Sequence, residues 1–265
     1  MSGTLRRHLR LAGLFASASI AARMEYRTNF LLNTLTALLE VGGAILGLVV
    51  LFADGQRLGG WTQREALVVV GVYNLVNGAI STYIRPNLGR IASLVRDGAL
   101  DFRLLKPVDT QFIVSVRDFN LFAVPGMLLG LAVIVWAAWD LPGVTLAGAA
   151  FGALMVVAGL AIVYSLWFML STTAFWFVKV ENASELFNGF FQAGQFPVTA
   201  FPGWARVMFT FIIPIAFITT VPAELVVGRA GPERALLAAG VAVALIVISR
   251  LFWQHAIRSY TSASS

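Results

Sequence analysis

Long apolar runs separated by short polar breaks dominate the chain. A membrane-spanning helix needs about 20 mostly apolar residues, and five runs come close to that length or exceed it. They cover residues 30–53, 65–84, 119–138, 145–178 and 234–252. The pattern predicts an all-α integral membrane protein.

A further, shorter helix is predicted after residue 182. The sequence Asn-Ala-Ser-Glu over 182–185 is typical of a capping box, in which the first side chain accepts from a first-turn amide and the glutamate reaches back. This helix carries Asn188, Gln192 and Gln195 and meets Pro197 after about 15 residues, or about 22 Å. Counted as a span, it brings the predicted number to six transmembrane helices.

Residues 196–232 are apolar but repeatedly broken by proline. Broken helices persist at membrane depth only where protein or a cavity covers the freed backbone groups. We therefore expect short outer re-entrant helices over this segment. Its marker residues are Phe196, Pro197, Pro202, Trp204 and Pro214.

The first 29 residues are basic and only weakly apolar. The run over 11–22 is too short to span a membrane, which favours an N-terminal amphipathic elbow helix at the interface, with Leu9, Leu14 and Phe15 turned inward. A signal peptide is the alternative, because Ala-Ser-Ala at 16–18 resembles a cleavage site.

Composition agrees with a membrane protein. Of the 265 residues, 58% are hydrophobic and 12% charged, against about a quarter charged in soluble domains. We expect a single transmembrane domain over 1–265, with no room for a large soluble domain. With no cysteine in the chain, disulfides and thiolate metal sites are excluded.

The basic residues predict an orientation. The net charge of +6 would suggest nucleic acid in a soluble protein, but the positive-inside rule explains it better and no nucleic-acid partner is expected. With both termini cytoplasmic, 14 of the 19 basic residues fall inside and 5 outside. The five outer ones are Arg57, Arg64, Arg206, Arg229 and Arg234.

Residues 85–118 form the only long charged segment between spans. Ile91, Leu94 and Val95 share one helical face, residues 97–98 break that helix, and Lys106–Pro107 stops the next one. This predicts a helix–turn–helix on the cytoplasmic membrane surface. A purely topogenic loop needs only positive charge, yet this segment also holds four aspartates, which favours a docking surface.

Glu40 is a carboxylate near the middle of the first span. Acidic groups there are costly and mark either a pathway or a buried pair. The alternative is a structural hydrogen bond to Asn74 or Asn77, which with Ser81 and Thr82 form a polar stripe on the second span. The candidate pathway residues are Glu40, Asn74, Asn77, Asn188, Gln192 and Gln195.

Enzymatic chemistry has little support in the sequence. The two lysines, Lys106 and Lys179, do not follow a glycine, so there is no phosphate-binding loop for ATP hydrolysis. His8 and His255 offer no metal-binding motif, and no metal or other cofactor is expected in this chain. An intramembrane enzyme stays a weaker alternative, as does an ATP-independent channel or scaffold.

Three motifs resemble one family. They are Val-Arg-Asp-Gly-Ala-Leu-Asp at 95–101 followed by Leu-Leu-Lys-Pro-Val at 104–108, the Phe-Pro and Ile-Pro pairs between 196 and 214, and Tyr-Thr-Ser-Ala-Ser from Tyr260. In order and spacing the chain resembles the permease subunits of type 2 ATP-binding cassette exporters, in particular a bacterial branch of uncharacterised transport permeases.

The resemblance implies an export function in the bacterial cytoplasmic (inner) membrane. It implies a second permease, identical or different, and separate ATP-binding cassette ATPase subunits that hold ATP and Mg. The first inner loop, residues 85–118, would be the coupling segment. The residues expected to contact the ATPase are Arg96, Asp97, Gly98, Asp101, Arg103, Leu105, Lys106 and Pro107.

Overall fold

The fold is that of a helical bundle, seen in a computed structural model that describes residues 2–23, 27–55, 57–177 and 188–260. Within these ranges there are no strands, only an isolated bridge between Leu58 and Trp61. The helices are α1 (Ser2–Arg23), α2 (Arg27–Leu51), α3 (Gln63–Ala79), α4 (Ile91–Arg96), α5 (Asp101–Leu104), α6 (Thr110–Val116), α7 (Val124–Ala138), α8 (Leu146–Thr172), α9 (Gly203–Val207), α10 (Val221–Val226) and α11 (Pro232–Arg258).

The prediction of an all-α membrane protein is confirmed. Over the described ranges, five helical stretches are long and apolar enough to cross a membrane, or six if one bent pair counts as a span. The five are Arg27–Leu51, Gln63–Arg96, Leu121–Ala138, Leu146–Phe175 and Pro232–Arg258. Each overlaps a predicted run, and the second and last extend well beyond the predicted ends.

The short helix before Pro197 is only partly described. Residues 188–192 are helical and a 3₁₀ turn, Ala193–Gln195, follows. The helix therefore ends before the proline, as expected from the missing N–H and the steric limits of proline. The predicted capping box at 182–185 lies outside the described residues.

Helices α3 and α7 cross closely at glycines. A Cβ on Gly78 would lie 2.6 Å from the Cα of Met127, and one on Gly71 would lie 2.9 Å from the carbonyl oxygen of Gly130. Real Cβ atoms do not approach backbone so closely. Small residues let membrane helices pack backbone to backbone, so these glycines fix the distance between α3 and α7.

Beyond Ala79 the helix continues as a π-helical stretch, Ile80–Ile84, and a turn, Arg85–Leu88. Pro86 has no N–H to offer the carbonyl of Thr82. That carbonyl instead accepts from the backbone N–H of Asn120 at 2.8 Å. The helix therefore continues past residue 84, the predicted end of this span, because Asn120 supplies the hydrogen bond that proline removes.

The proline-rich segment contains two helical limbs bent by 79°, Gly203–Ile212 and Ala216–Val226. Every residue of the second limb is buried, whereas Trp204, Phe211 and Ile212 on the first are exposed. Broken spans and re-entrant loops both bend in this way, so the outer re-entrant assignment stays a prediction.

Helix α1 lies against α6. The His8 and Phe112 rings meet edge to face with centroids 4.4 Å apart, and Ser19 Oγ donates to the carbonyl of Arg117 at 3.3 Å. The N-terminal helix thus contacts the same segment that carries the predicted docking surface. Its interfacial position in a membrane stays a prediction.

Two polar anchors hold the 85–118 segment in place. In the first, Asn87 donates to the carbonyl of Asp118 and accepts from its N–H, at 2.7 and 2.8 Å, while Arg90 pairs with the Asp118 carboxylate at 3.0 Å. In the second, the Asp109 carboxylate caps α6 at the N–H of Phe112 and accepts two hydrogen bonds from Arg250 of α11. The first anchor therefore joins the two ends of the segment to each other, and the second ties the segment to α11.

The second anchor sets the charge of Asp109. Burial alone would raise the pKa of this carboxyl, but the hydrogen bonds from Arg250 and from the Phe112 N–H outweigh it and lower the pKa. A lowered pKa in the folded state means that the carboxylate form stabilises the fold. That stabilisation is present above the unfolded pKa of about 3.9 and is lost as the pH falls through the lower folded value.

We expect Gly78→Ala to lower the midpoint of thermal unfolding by several degrees in detergent, because overpacking costs about 1–3 kcal/mol. Gly240→Ala in α11 is the matched control, since its added methyl group meets no atom within 4 Å. An unchanged midpoint for Gly78→Ala would show that α3 and α7 do not pack through this glycine.

Asp109→Asn should lower the unfolding midpoint at pH 7. The difference from the natural chain should shrink as the pH falls below about 4, where the unfolded chain binds a proton at Asp109, and should be lost once the pH is below the lowered pKa of the folded state. Asp54→Asn, at an exposed position, serves as the control. A difference that stays constant down to low pH would contradict the anchoring role of the Asp109 carboxylate.

Candidate functional site

Two adjoining polar cavities lie between α2, α3 and the residues before Pro197. Their volumes are about 340 and 290 Å³. The residues that line both cavities are Glu40, Asn74, Asn77 and Arg85. The two cavities are therefore halves of one polar region, divided at these four side chains.

The larger cavity brings the predicted pathway residues together. Beyond the four shared residues it is lined by Tyr73, Asn188, Phe191, Gln192 and Gln195. All six residues predicted from the polar stripes of three separate helices therefore border this cavity. Their role as a substrate pathway stays a prediction.

Helical spacing places the polar side chains. On α2, Asn33, Thr36 and Glu40 follow one another at i, i+3 and i+7, and all three line the smaller cavity. On α3 and its continuation, Asn74, Asn77, Ser81 and Arg85 repeat the same spacing. Residues three, four and seven apart share a helix face, so two polar faces meet at the cavity.

Glu40 does not form the structural hydrogen bond that was the alternative to a pathway role. Among the described residues it makes no hydrogen bond and no ion pair, and its side chain is exposed. Asn74 instead donates to the carbonyl of Val70 in its own helix at 2.8 Å. The carboxylate of Glu40 and the amide of Asn77 thus face the cavity without a partner in the described part of the chain.

Arg85 supplies the positive charge of the cavity. Its Nη2 donates to Asn188 Oδ1 at 3.3 Å, and its guanidinium carbon lies 5.8 Å from the centroid of the Trp167 ring. From the sequence, Arg85 is predicted to begin the cytoplasmic 85–118 segment. Its spacing from Asn74 and Ser81 is the signal that would have placed it in the stripe.

The chemistry of the cavity suits binding. It offers amides, one carboxylate and one guanidinium, with an aromatic wall where the Tyr73 and Phe191 rings lie 5.2 Å apart. Over the described ranges, no cluster of histidine, aspartate or glutamate could hold a metal ion. The cavity can therefore hydrogen-bond a polar molecule and match charge of either sign.

The predicted coupling residues lie on a helix–turn–helix, as expected. Helix α4 ends at Arg96, Gly98 adopts a φ of +66° that suits glycine, and α5 begins at Asp101. Most of the predicted contact residues are exposed, but Asp101 and Gly98 are partly buried and Arg103 is only 8% exposed.

Arg103 was predicted to be an exposed docking residue, but its side chain is buried. It lies close to Arg117, Asp118 and Arg90, and burial, followed by the charges of Arg117 and Arg90, lowers its pKa. The most exposed apolar side chains of the segment are Leu105, at 82%, and Phe102, at 74%. Phe102 was not among the predicted contact residues. A four-residue helix is too short for its exposed face to be predicted from periodicity.

At the opposite end of α3, the proline-rich segment is held by side chains from the start of that helix. Trp61 Nε1 donates to Thr199 Oγ1 at 2.9 Å, and Gly59, with a φ of +58°, lets the backbone of Thr199 approach closely. Arg206 donates to the carbonyl of Thr199 at 2.8 Å. Of the five marker residues, Pro197 and Pro214 are buried, Phe196 is partly buried, and Pro202 and Trp204 are exposed.

Arg229 also joins the start of α3 to the proline-rich segment. Arg229 pairs with Glu65 at 3.1 Å, donates to the carbonyl of Gly60 at 3.1 Å, and lies with its guanidinium carbon 4.7 Å from the Trp61 ring centroid. We call Trp61, Glu65, Thr199 and Arg229 the outer clasp, after the outer position predicted for the proline-rich segment. It joins the start of α3 to both ends of the proline-rich segment.

Comparison with known proteins supports this architecture. No match was found among curated proteins or among solved structures. The family model described as "ABC-2 family transporter protein" matches residues 38–264, which include every residue lining the larger cavity, most of those lining the smaller one, the 85–118 segment and the outer clasp. This match covers most of the chain and confirms the resemblance seen in its motifs. The chain therefore belongs to the ABC-2 transporter family and is a membrane component of a transporter.

Proposed function

We propose that this chain is the transmembrane subunit of an ATP-driven exporter, with the polar cavities as part of its substrate pathway. The observation that carries the proposal is the convergence of Glu40, Asn74, Asn77 and Arg85 on one polar region. Polar and ionisable groups at membrane depth are expensive, and where they face a cavity they typically mark a translocation route.

The energy for transport has to come from another chain. The sequence has no phosphate-binding loop, and membership of the ABC-2 family supports separate ATPase subunits that bind ATP and Mg. We assign their contact to the α4–α5 hairpin, where Phe102 and Leu105 project from the bundle. Movement there would reach the cavity through the continuous helical path from α4 back to Arg85.

A second permease would complete the cavity on the α2 side. The positions Asn29, Asn33, Thr36, Glu40, Gly43 and Gly47 form one stripe along α2 with alternating steps of four and three. Only Val41 and Leu48 of α2 are buried within this chain. Such heptad spacing, with Gly43 and Gly47 allowing close approach, supports a facing helix of a second permease.

The proposed topology has both termini in the cytoplasm of a bacterium and the proline-rich segment on the outer side. It rests on the excess of basic residues in the loops on one side of the bundle. In this arrangement the outer clasp closes the end of the pathway opposite the ATPase. Its hydrogen bonds and ion pair would have to break or slide when the proline-rich segment moves.

Water access to the cavity is directly testable because the chain has no cysteine. Thr36→Cys, on the cavity face of α2, should react with a membrane-impermeant thiol reagent in intact membranes. Leu38→Cys, two residues away on the opposite face, should react about tenfold more slowly or less, because an apolar environment raises the thiol pKa. Equal labelling of both positions would contradict a hydrated pathway on this face.

The coupling assignment is tested by Leu105→Glu. We expect this change to weaken association with the partner ATPase by about thirtyfold, the effect of losing about 2 kcal/mol at an interface hot spot. Stimulation of ATP hydrolysis by the permease should fall accordingly while membrane insertion is unchanged.

Leu146→Glu is the matched control, because Leu146 is similarly exposed, at 89% against 82% for Leu105, and lies at the other end of the bundle. Normal ATPase stimulation by the Leu105→Glu protein would exclude the α4–α5 hairpin as the coupling surface. Substrate movement without any ATPase would favour the channel alternative.

A further inference from the structure

An apolar trough runs along the outward face of α7, away from the polar cavities. Its volume is about 570 Å³. Its floor is formed by residues of one helix face, and its end is closed by an arginine and an aspartate. The lining residues are Arg64, Leu128, Leu131, Ala132, Val135, Trp136, Trp139 and Asp140.

The length of the trough matches one leaflet of a bilayer. From Leu128 to Trp139 the helix rises by about 16 Å at 1.5 Å per residue, and half of a hydrocarbon core is about 15 Å. Trp136 and Trp139 lie at the polar end, where tryptophan is enriched at membrane interfaces. The apolar floor therefore spans acyl-chain depth, and its polar end coincides with the headgroup level.

The polar end carries two opposite charges with free bonding capacity. Arg64 Nη1 donates to Asp140 Oδ2 at 2.7 Å, and the two side chains are 51% and 64% exposed. An arginine has five N–H donors and a carboxylate has two acceptor oxygens. The pair can thus bind a phosphate through Arg64 and an ammonium through Asp140 at the same time.

We propose that this trough is a binding site for one zwitterionic phospholipid, with phosphate on Arg64, ammonium on Asp140 and an acyl chain along Leu128, Leu131 and Val135. The charge arrangement favours this occupant over an anionic phospholipid, because Asp140 repels additional negative charge. The site would be distinct from the transport pathway, since the trough shares no lining residue with the two polar cavities.

The test is lipid retention by the full-length protein. The protein is reconstituted in vesicles of equal parts phosphatidylethanolamine and phosphatidylglycerol and extracted in mild detergent. The lipids that stay bound to it are then identified by native mass spectrometry. The natural chain should retain phosphatidylethanolamine preferentially. Arg64→Gln should reduce retention of both lipids by about fivefold, the size expected for one exposed charge-assisted contact.

Asp140→Asn is the sharper variant, because it should shift the preference from phosphatidylethanolamine towards phosphatidylglycerol without abolishing binding. Arg57→Gln is the control for the loss of one exposed arginine at the same end of the bundle and should leave retention and preference unchanged. Leu131→Trp, which fills the trough without touching the charges, should reduce retention of both lipids.

Two outcomes would overturn the proposal. One is an unchanged lipid preference in Asp140→Asn together with unchanged retention in Arg64→Gln, provided that thermal unfolding shows all variants to be folded. The other is efficient disulfide formation between two copies carrying Leu131→Cys in membranes, which would show that protein, not lipid, covers the trough.

Discussion

The backbone contact between α3 and α7 is the constraint on which the rest of the bundle depends. Gly71 and Gly78 meet α7 at a distance that leaves no room for a side chain. This contact pins one side of α3, and the polar side of the same helix is thereby directed towards α2. The cavity therefore lies along the polar side of α3, away from the tight contact of this helix with α7.

The π-helical stretch after Ala79 connects α3 of that pair to the 85–118 segment. Proline at 86 removes one backbone hydrogen bond, and the backbone of Asn120 replaces it. Asn87 and Asp118 then tie the same region together with two further hydrogen bonds. The two ends of the 85–118 segment are thus joined at Asn87, two residues after Arg85. Displacement of the α4–α5 hairpin would act on the cavity through this joint.

Much of the architecture could be predicted from the sequence because membrane spans depend on local properties, namely length, hydropathy and helical spacing. The stripes containing Glu40, Asn74 and Gln192 were found for the same reason. Their convergence could not be derived, because it depends on how three helices are rotated against one another. The six residues could only be guessed to share an interface, and the structure places them around one cavity.

Other features escaped prediction because they depend on neighbours. Gly43 and Gly78 both lie within apolar runs of the sequence. A methyl group on Gly43 would meet no atom within 4 Å, whereas one on Gly78 would overlap the backbone of α7. Arg103 is charged and was expected on the surface, but it lies buried beside Asp118. Arg85 is predicted to begin the charged 85–118 segment, yet its side chain lines both polar cavities.

The exposed carboxylate of Glu40 has a consequence for assembly. It lies near the middle of α2, on a helix that buries little of its surface within this chain. A charged group facing lipid at that depth costs on the order of 3 kcal/mol. In a subunit without its partner, where the cavity beside α2 would open towards lipid, Glu40 would carry this penalty, and a facing permease with a hydrated pathway would remove it. In the proposed transporter, the residues that handle the substrate would also favour dimerisation, so that pathway formation and subunit assembly would be one event.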